Sequence, residues 1–229
     1  MRIVAHRTCP LDAPENSLAG IRLAGQVGAD AVEIDVRLDA SKVVVLGHDR
    51  TYWRVARSPL PVRLTPPGLR RRLRLTDGRP PPALSDAVAA LPTGLGLVVE
   101  AKDSRAVRPS IELLAGRGVL ARTSLWVRAP GDVELCADFA PTCERALLED
   151  PRDPQSAKRY LLRAVDCGAT AVSLHQDLVD GDIVGAAHDA AVSVYCWAVR
   201  IDGHTRAIEA GCDGLVTDWP AQAPRVAGA

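Results

Sequence analysis

Long apolar runs are missing from this 229-residue chain. None of its segments approaches the roughly 20 residues that cross a bilayer. After Met1 the chain goes directly into Arg2-Ile3-Val4-Ala5-His6, without the apolar stretch of a secretion signal. A cytoplasmic address without stable membrane insertion is therefore expected. Net charge is missing too: 28 Lys and Arg balance 28 Asp and Glu. Bulk electrostatics thus give no reason to expect nucleic acid as a partner. Aromatic residues make up only 3%, so a core must be assembled mainly from Ala, Val and Leu. Cys9, Cys136, Cys143, Cys167, Cys196 and Cys212 are scattered with no CxxC spacing. They are expected to be reduced core residues rather than metal ligands or disulfides. No glycine-rich phosphate fingerprint follows the first apolar run, where Thr8 stands in place of a wanted glycine. That counts against an open dinucleotide-binding sheet.

What is present is a chain long enough for one large core, expected as a single domain over residues 1–229 with no linker at mid-chain. A strand through Ile3-Val4-Ala5 ends at His6-Arg7. Asn16 reads as the N-cap of a helix carrying Leu18, Ile21 and Val27, stopped by Gly28. The apolar runs 31–36 and 43–48, joined by the polar turn Asp39-Ala40-Ser41-Lys42, read as a hairpin. Residues 50–82 break the rhythm with clustered Arg and Pro and a single acid, Asp77. They are expected to form an insertion with one short helix around Leu69 and Leu73, serving either as a solvated loop or as a lid or anion-attracting rim. Ser85 then reads as the cap of a helix closed by Pro92. Strands at 95–102, 124–127, 144–148, 171–174, 193–199 and 214–218 alternate with helices. One helix is expected to begin at Pro109, with that proline in its first turn. Others open at Asp132, Asp153, Asp180 and Asp202. If 43–48 is the returning arm of a hairpin, eight parallel strands remain. The fold class is then α/β: a (β/α)8 TIM barrel with a β-hairpin extension after strand 2 and an Arg/Pro-rich insertion.

Barrel chemistry gathers at the carboxyl ends of the strands. Here those ends carry His6-Arg7, Glu33-x-Asp35, Glu100-x-Lys102, His175, Trp197 and Asp218. Glu33 and Asp35 share one face of their strand because side chains alternate. With Glu100 they form a three-carboxylate set whose hard oxygens suit Mg²⁺ or Ca²⁺ rather than zinc. Folding the hairpin back brings His48 near the level of Glu33 and Ile34. An unperturbed imidazole titrates near neutrality, so histidines such as His6 and His48 suit general acid and general base roles. Arg7 offers a planar fork for phosphate oxygens and Lys102 a point charge. A cation, an Arg and a Lys around one point form a clamp for phosphoryl transfer, so phosphodiester hydrolysis is the natural reaction class.

These residues carry a family resemblance. AHR at 5–7, PENS at 14–17, GADAVEIDVRLD at 28–39, VVVLGHD at 43–49, VVEAK at 98–102, YCWAV at 195–199 and GCDGLVTDWP at 211–220 follow one another. Their order resembles that of the glycerophosphodiester phosphodiesterases, within the superfamily of phospholipase C-like barrels. The resemblance implies hydrolysis of a glycerophosphodiester to an alcohol and glycerol 3-phosphate, a phosphoric diester hydrolase of lipid and glycerol metabolism. It implies His6 and His48 as the catalytic pair and one divalent cation, Mg²⁺ or Ca²⁺, on Glu33, Asp35 and Glu100. Arg7, Asn16, Lys102 and Trp197 become substrate contacts, which gives Asn16 a second reading beside the N-cap. Two positions depart from the family pattern. Thr8 replaces a glycine that permits positive φ, and is expected to redirect the loop and shift Arg7. Arg200 replaces an Asn and is expected to alter the pocket rim. His175 has no counterpart and reads as structural or solvent-exposed. Two alternatives remain: a lysophospholipase D-like or other phosphodiesterase meeting lipid through the Arg-rich segment, and a non-catalytic phosphate-binding barrel.

Overall fold

The computed structural model describes residues 1–224; the last five residues of the expected domain lie outside the described residues. β1 (Arg2–Ala5) leads through a tight turn and α1 (Leu18–Gln26) into β2 (Ala31–Leu38). β3 (Val44–Leu46) folds back antiparallel on β2, pairing Leu46 with Val36. β4 (Thr51–Tyr52) and β5 (Ser58–Pro61) form a separate antiparallel ribbon around the single turn α2 (Trp53–Ala56), and α3 (Pro67–Arg70) follows. α4 (Leu84–Ala90) returns the chain to the barrel. From there strands and helices alternate: β6 (Gly96–Ala101), α5 (Ser104–Gly116), β7 (Thr123–Val127), α6 (Pro130–Phe139), β8 (Glu144–Leu147), α7 (Pro154–Asp166), β9 (Ala171–His175), α8 (Gly181–Asp189), β10 (Ser193–Ala198), α9 (Gly203–Glu209) and β11 (Gly214–Thr217).

The barrel runs β1-β2-β6-β7-β8-β9-β10-β11 and closes where β11 pairs with β1, Leu215 beside Ile3. All eight strands are parallel, and β3 is the antiparallel extension. Strand alternation sets two layers. Val32, Ile34 and Val36 of β2, with Leu97 and Val99 of β6, face outward into the main core beneath the helices. Burying each such side chain stabilises by about 1.5–3 kcal/mol. Val4, Ala31, Val98, Trp126, Ala146, Ala171, Tyr195 and Val216 fill the barrel interior. Its lower end is closed by polar contacts. Ser124 Oγ donates to Glu144 Oε2 at 2.6 Å, and Tyr195 OH to Glu144 Oε1 at 3.0 Å. Arg2 Nη1 donates to Ser124 Oγ at 3.1 Å. Gly214 is required here, since a Cβ would sit 2.1 Å from the Tyr195 ring. Glu33, Asp35 and Glu100 lie towards the opposite mouth, at the carboxyl side of Ala31 and Val98.

Several local expectations are corrected. Asn16 is not the cap of α1; Ser17 is, its Oγ accepting from Gly20 N at 3.0 Å. The cap of α4 is Ala83 rather than Ser85, with Asp86 Oδ2 accepting from the Ala83 N–H at 2.9 Å. α5 starts five residues before Pro109, because Asp103 caps it through the Arg105 N–H, and Pro109 lies inside the helix. The insertion is more ordered than one short helix. Tyr52 and Val62 pack on Val45 of the hairpin, so it has a small core of its own.

Candidate active site

β2 delivers Glu33 and Asp35, and the carboxyl end of β6 delivers Glu100. Glu33, Asp35 and Glu100 are 1%, 1% and 8% exposed, and one ligand atom of each lies within 4.8 Å of the others. β2 and β6 are paired in register, Asp35 beside Glu100, and this register makes the cluster. Glu33 Oε2 accepts from the Arg7 N–H at 2.8 Å, while its buried Oε1 has no hydrogen-bond partner among the described residues. Lys102 Nζ lies 2.9 Å from Asp35 Oδ1 and 2.5 Å from Glu100 Oε1. Arg128 Nε donates to the same Glu100 oxygen at 3.0 Å. Burial and the neighbouring Asp35 and Glu100 push Glu33 well above the usual carboxylate range. Burial would raise Asp35 as well, but Lys102, His48, Arg7 and the Asn16 amide hold it below its ordinary value.

Asn16 explains itself at this point. Its backbone is left-handed, φ 53°, which Asn tolerates better than most residues. Its Nδ2 donates to Asp35 Oδ2 at 2.8 Å and its Oδ1 accepts the Asp35 N–H at 2.8 Å. The side chain is 4% exposed and stands behind Asp35 rather than on the cavity wall.

Both proposed catalytic imidazoles are oriented by an aspartate. His6 Nδ1 lies 2.7 Å from Asp218 Oδ1, and His48 Nδ1 lies 2.7 Å from Asp49 Oδ1. Each pairing leaves Nε2 for chemistry. The His48 carbonyl is held by Arg37 Nε and Nη2 at 3.1 and 2.8 Å. Burial lowers the His48 pKa against the pull of Asp35 and Asp49, favouring the neutral ring. Trp197 stands edge-on to both His6 and His175, with centroids 6.0 and 5.5 Å away. His6, Arg7, Glu33, His48, Glu100, Lys102 and Trp197 line one cavity of about 360 Å³. Trp126 and Arg128 line it too; Trp126 Nε1 is buried without a partner among the described residues.

Thr8 does occupy a left-handed position, φ 66°, between Arg7 and Cys9 at φ 43° and 60°. Such a position costs a non-glycine residue roughly 1–2 kcal/mol. The loop nevertheless keeps Arg7 Nε 3.7 Å from Asp35 Oδ2. Thr8 Oγ1 accepts the Ser17 N–H at 3.1 Å. Gly20 makes the room, since a Cβ there would lie 1.9 Å from the Thr8 carbonyl. Arg200 does not shape the cavity. It pairs with Asp177 at 2.7 Å and Asp202 at 3.2 Å on the outer surface. His175 is half-buried beside Asp177, at 3.5 Å.

Sequence reasoning gave no role to Asp49, Arg128 or the Glu15–Arg54 pair, and read Asp218 only as a polar strand end. Asp49 directly follows His48, and Arg128 directly follows a strand, so both carried a positional signal. Arg54 carried none: it lies 39 residues from Glu15, which its guanidinium grips with both nitrogens.

Among the described residues no helix is long and apolar enough to cross a membrane. The sequence model of the Glycerophosphoryl diester phosphodiesterase family matches residues 6–101. YhdW of Bacillus subtilis (strain 168), which carries a provisional glycerophosphodiester phosphodiesterase name, is 23% identical over 235 residues, covering 96% of this chain and 95% of that one. Glycerophosphodiester phosphodiesterase 1 of Rattus norvegicus is 50% identical over 51 residues, 22% of this chain and 15% of its own length. Among solved structures, an Oleispira antarctica phosphodiesterase in complex with the product sn-glycerol-3-phosphate superposes with a TM-score of 0.82 at 23% identity. It covers 97% of this chain and 94% of that one. At that identity the superposition speaks for the shared barrel alone. The family match opens on His6 and reaches the strand of Glu100, so the span that supplies all three carboxylates is the part of this chain that is similar to the glycerophosphoryl diester phosphodiesterase family.

Proposed function

We propose that this chain folds as one barrel domain that hydrolyses glycerophosphodiesters to an alcohol and glycerol 3-phosphate. In this reading His6 and His48 are the acid-base pair and Glu33, Asp35 and Glu100 hold one divalent cation, Mg²⁺ or Ca²⁺. The observation that carries the reading is the convergence of two aspartate-held imidazoles on a buried carboxylate triad that has one oxygen to spare, Glu33 Oε1. Three oxygen donors this close fit a hard divalent ion, which also supplies Glu33 with the partner it lacks. Bound there, the ion neutralises phosphate charge and acts as a Lewis acid.

The chain's own groups account for the rest. Arg7 and Lys102 bind the phosphate oxygens and hold the phosphorus near the imidazoles. One imidazole Nε2 takes the proton of the attacking oxygen as its bond to phosphorus forms. The other Nε2 gives a proton to the alkoxide as the P–O ester bond breaks. Trp197 walls the pocket and excludes water from one side. The product in the Oleispira antarctica neighbour supports the same product class. A cytoplasmic address is part of this reading. Purified protein is assayed on glycerophosphodiesters with Mg²⁺ or Ca²⁺ and after chelation. Activity that survives chelation, or that is normal in both His6→Ala and His48→Ala, overturns the mechanism.

A lipid-facing variant of this activity draws on Trp53 and Leu64 of the insertion, 55% and 48% exposed beside Arg57 and Arg63. It requires faster turnover of lysophospholipid on anionic vesicles than of soluble diesters, and equal rates dismiss it.

A further inference from the structure

A cleft of about 560 Å³ lies beside the acid-lined cavity and shares the Lys102 side chain with it. Its charged lining is one-sided: Arg37, Arg50, Arg63, Lys102 and Arg105 against Asp103 alone. Asp103 is already engaged, accepting from Arg105 Nε at 3.0 Å and Nη2 at 2.6 Å. Lys102 is engaged with Asp35 and Glu100. Among the described residues the guanidinium groups of Arg50 and Arg63 have no hydrogen-bonded or ion-paired partner. Arg37, half-buried, spends Nε and Nη2 on the neutral carbonyl of His48, so its charge is not cancelled by contact. Burial lowers its pKa, and Arg50 adds to that against the pull of Asp35 and Asp103.

Three elements hold these arginines in place. Arg37 is the penultimate residue of β2, Arg50 begins the insertion directly after Asp49, Arg63 lies further along it, and Arg105 is in the first turn of α5. The Val62 N–H donates to the Arg50 carbonyl at 2.8 Å, tying the insertion to that loop. The insertion is also where positive charge is concentrated. Residues 50–82 contain nine arginines and one acid, a formal +8 in a chain whose total is zero. Uncompensated like charges repel one another, and such a cleft focuses field on an anion. Lys102 lines both spaces, so the cleft adjoins the cavity in which the hydrolytic reading seats the phosphate.

We propose that this cleft is an anion subsite for a second negative group, a phosphate or carboxylate, on the alcohol half of the substrate. The enzyme then prefers glycerophosphodiesters with anionic head groups. The substrate part rests on the hydrolytic reading above; the anion-binding part does not.

The test compares kcat/KM for glycerophosphoglycerol with that for the same diester bearing a phosphate on its terminal hydroxyl. At low ionic strength the phosphorylated substrate is expected to be favoured roughly tenfold or more, equivalent to about 1.4 kcal/mol. The preference shrinks with added salt, and the ratio falls about tenfold in Arg50→Gln/Arg63→Gln, the same 1.4 kcal/mol in reverse. A ratio near one in the unmodified protein, or one that the double substitution leaves alone, overturns the proposal. If no glycerophosphodiester is hydrolysed, the active-site reading fails, and the cleft is decided by titrating inorganic phosphate into chelator-treated protein. Binding weakened by Arg50→Gln/Arg63→Gln supports the subsite; equal binding, or none, removes it.

Discussion

His48 Nδ1 meets Asp49 Oδ1 at 2.7 Å, on the residue next to it in the chain. The carboxylate fixes the ring's tautomer and orientation and steadies the imidazolium once it forms. His6 has the same relationship with Asp218, 212 residues away. Asp49→Asn and Asp218→Asn are each expected to lower kcat on the order of tenfold to a hundredfold, with KM little changed, since proton transfer contributes about that much or more. Steady-state kinetics at several pH values check it. A KM effect with unchanged kcat would assign these aspartates to binding instead.

Arg54 extends the network. Its Nε donates to Asp49 Oδ2 at 2.9 Å, while its two terminal nitrogens hold Glu15, whose side chain is only 10% exposed. The insertion thereby braces the His48 loop against the loop carrying Arg7. Arg54→Met is expected to cost roughly 1–2 kcal/mol, because a mostly buried carboxylate loses its main partner. Glu15→Gln added to Arg54→Met should cost less than the sum of the single changes, because the two residues share one interaction. Denaturant unfolding of the two single variants and the double variant measures the coupling; strict additivity would show that the pair is slack in solution.

Gly20→Ala targets the device that lets Thr8 stand in a left-handed position. A Cβ at 1.9 Å from the Thr8 carbonyl cannot be absorbed by a flexible side chain, because the obstructing atom is backbone. Overpacking of this kind costs about 1–3 kcal/mol. The shift should also loosen the Arg7 N–H from Glu33 and so reduce turnover. A variant with unchanged melting temperature and rate would mean that the loop moves freely.

His204 gives a pH dependence of stability. It is 3% exposed, with Nε2 2.8 Å from Thr217 Oγ1, and burial lowers its pKa against a smaller opposing effect from the Gln222 backbone. Its unfolded-state pKa is about 6.5. Below that value the unfolded chain binds the proton more readily than the folded one. The stability it contributes is therefore complete above about pH 6.5 and lost as pH falls through the lower folded value. His204→Gln should flatten that part of the profile relative to the unmodified protein. Parallel slopes in the two proteins across this window contradict it.

The barrel was legible because β-branched runs and turn signals recur at even spacing, and because two acids at i and i+2 must share a strand face. Local caps were less legible. Ser17 and Asn16 are both good capping residues, and only the contact between Asn16 and Asp35, 19 residues on, decides between them. Pro109 misled for a similar reason: its first-turn preference is a local rule, and the stronger Asp103 cap lay upstream. The ribbon in residues 50–82 was hidden because its pairing partners are short and its small core forms only against Val45 of the hairpin. The site's acids and imidazoles could be read from strand ends, whereas their braces, Arg54 and Glu15, depend on chain crossings that sequence spacing does not encode.

Calorimetric titration of Mg²⁺ and Ca²⁺ into the metal-free protein and into Glu33→Gln tests the carboxylate cluster directly. The unmodified protein is expected to take up one ion per chain and melt at a higher temperature when loaded. Glu33→Gln relieves repulsion among buried like charges, so metal-free it should melt above the unmodified protein and be more stable to unfolding by an amount on the order of 1–3 kcal/mol. It should also bind the ion at least roughly a hundredfold more weakly, a loss of about 2.7 kcal/mol. No saturable uptake by the unmodified protein, or equal affinity in the variant, would mean that the side-chain cations Arg7, Lys102 and Arg128 balance this cluster without a metal ion.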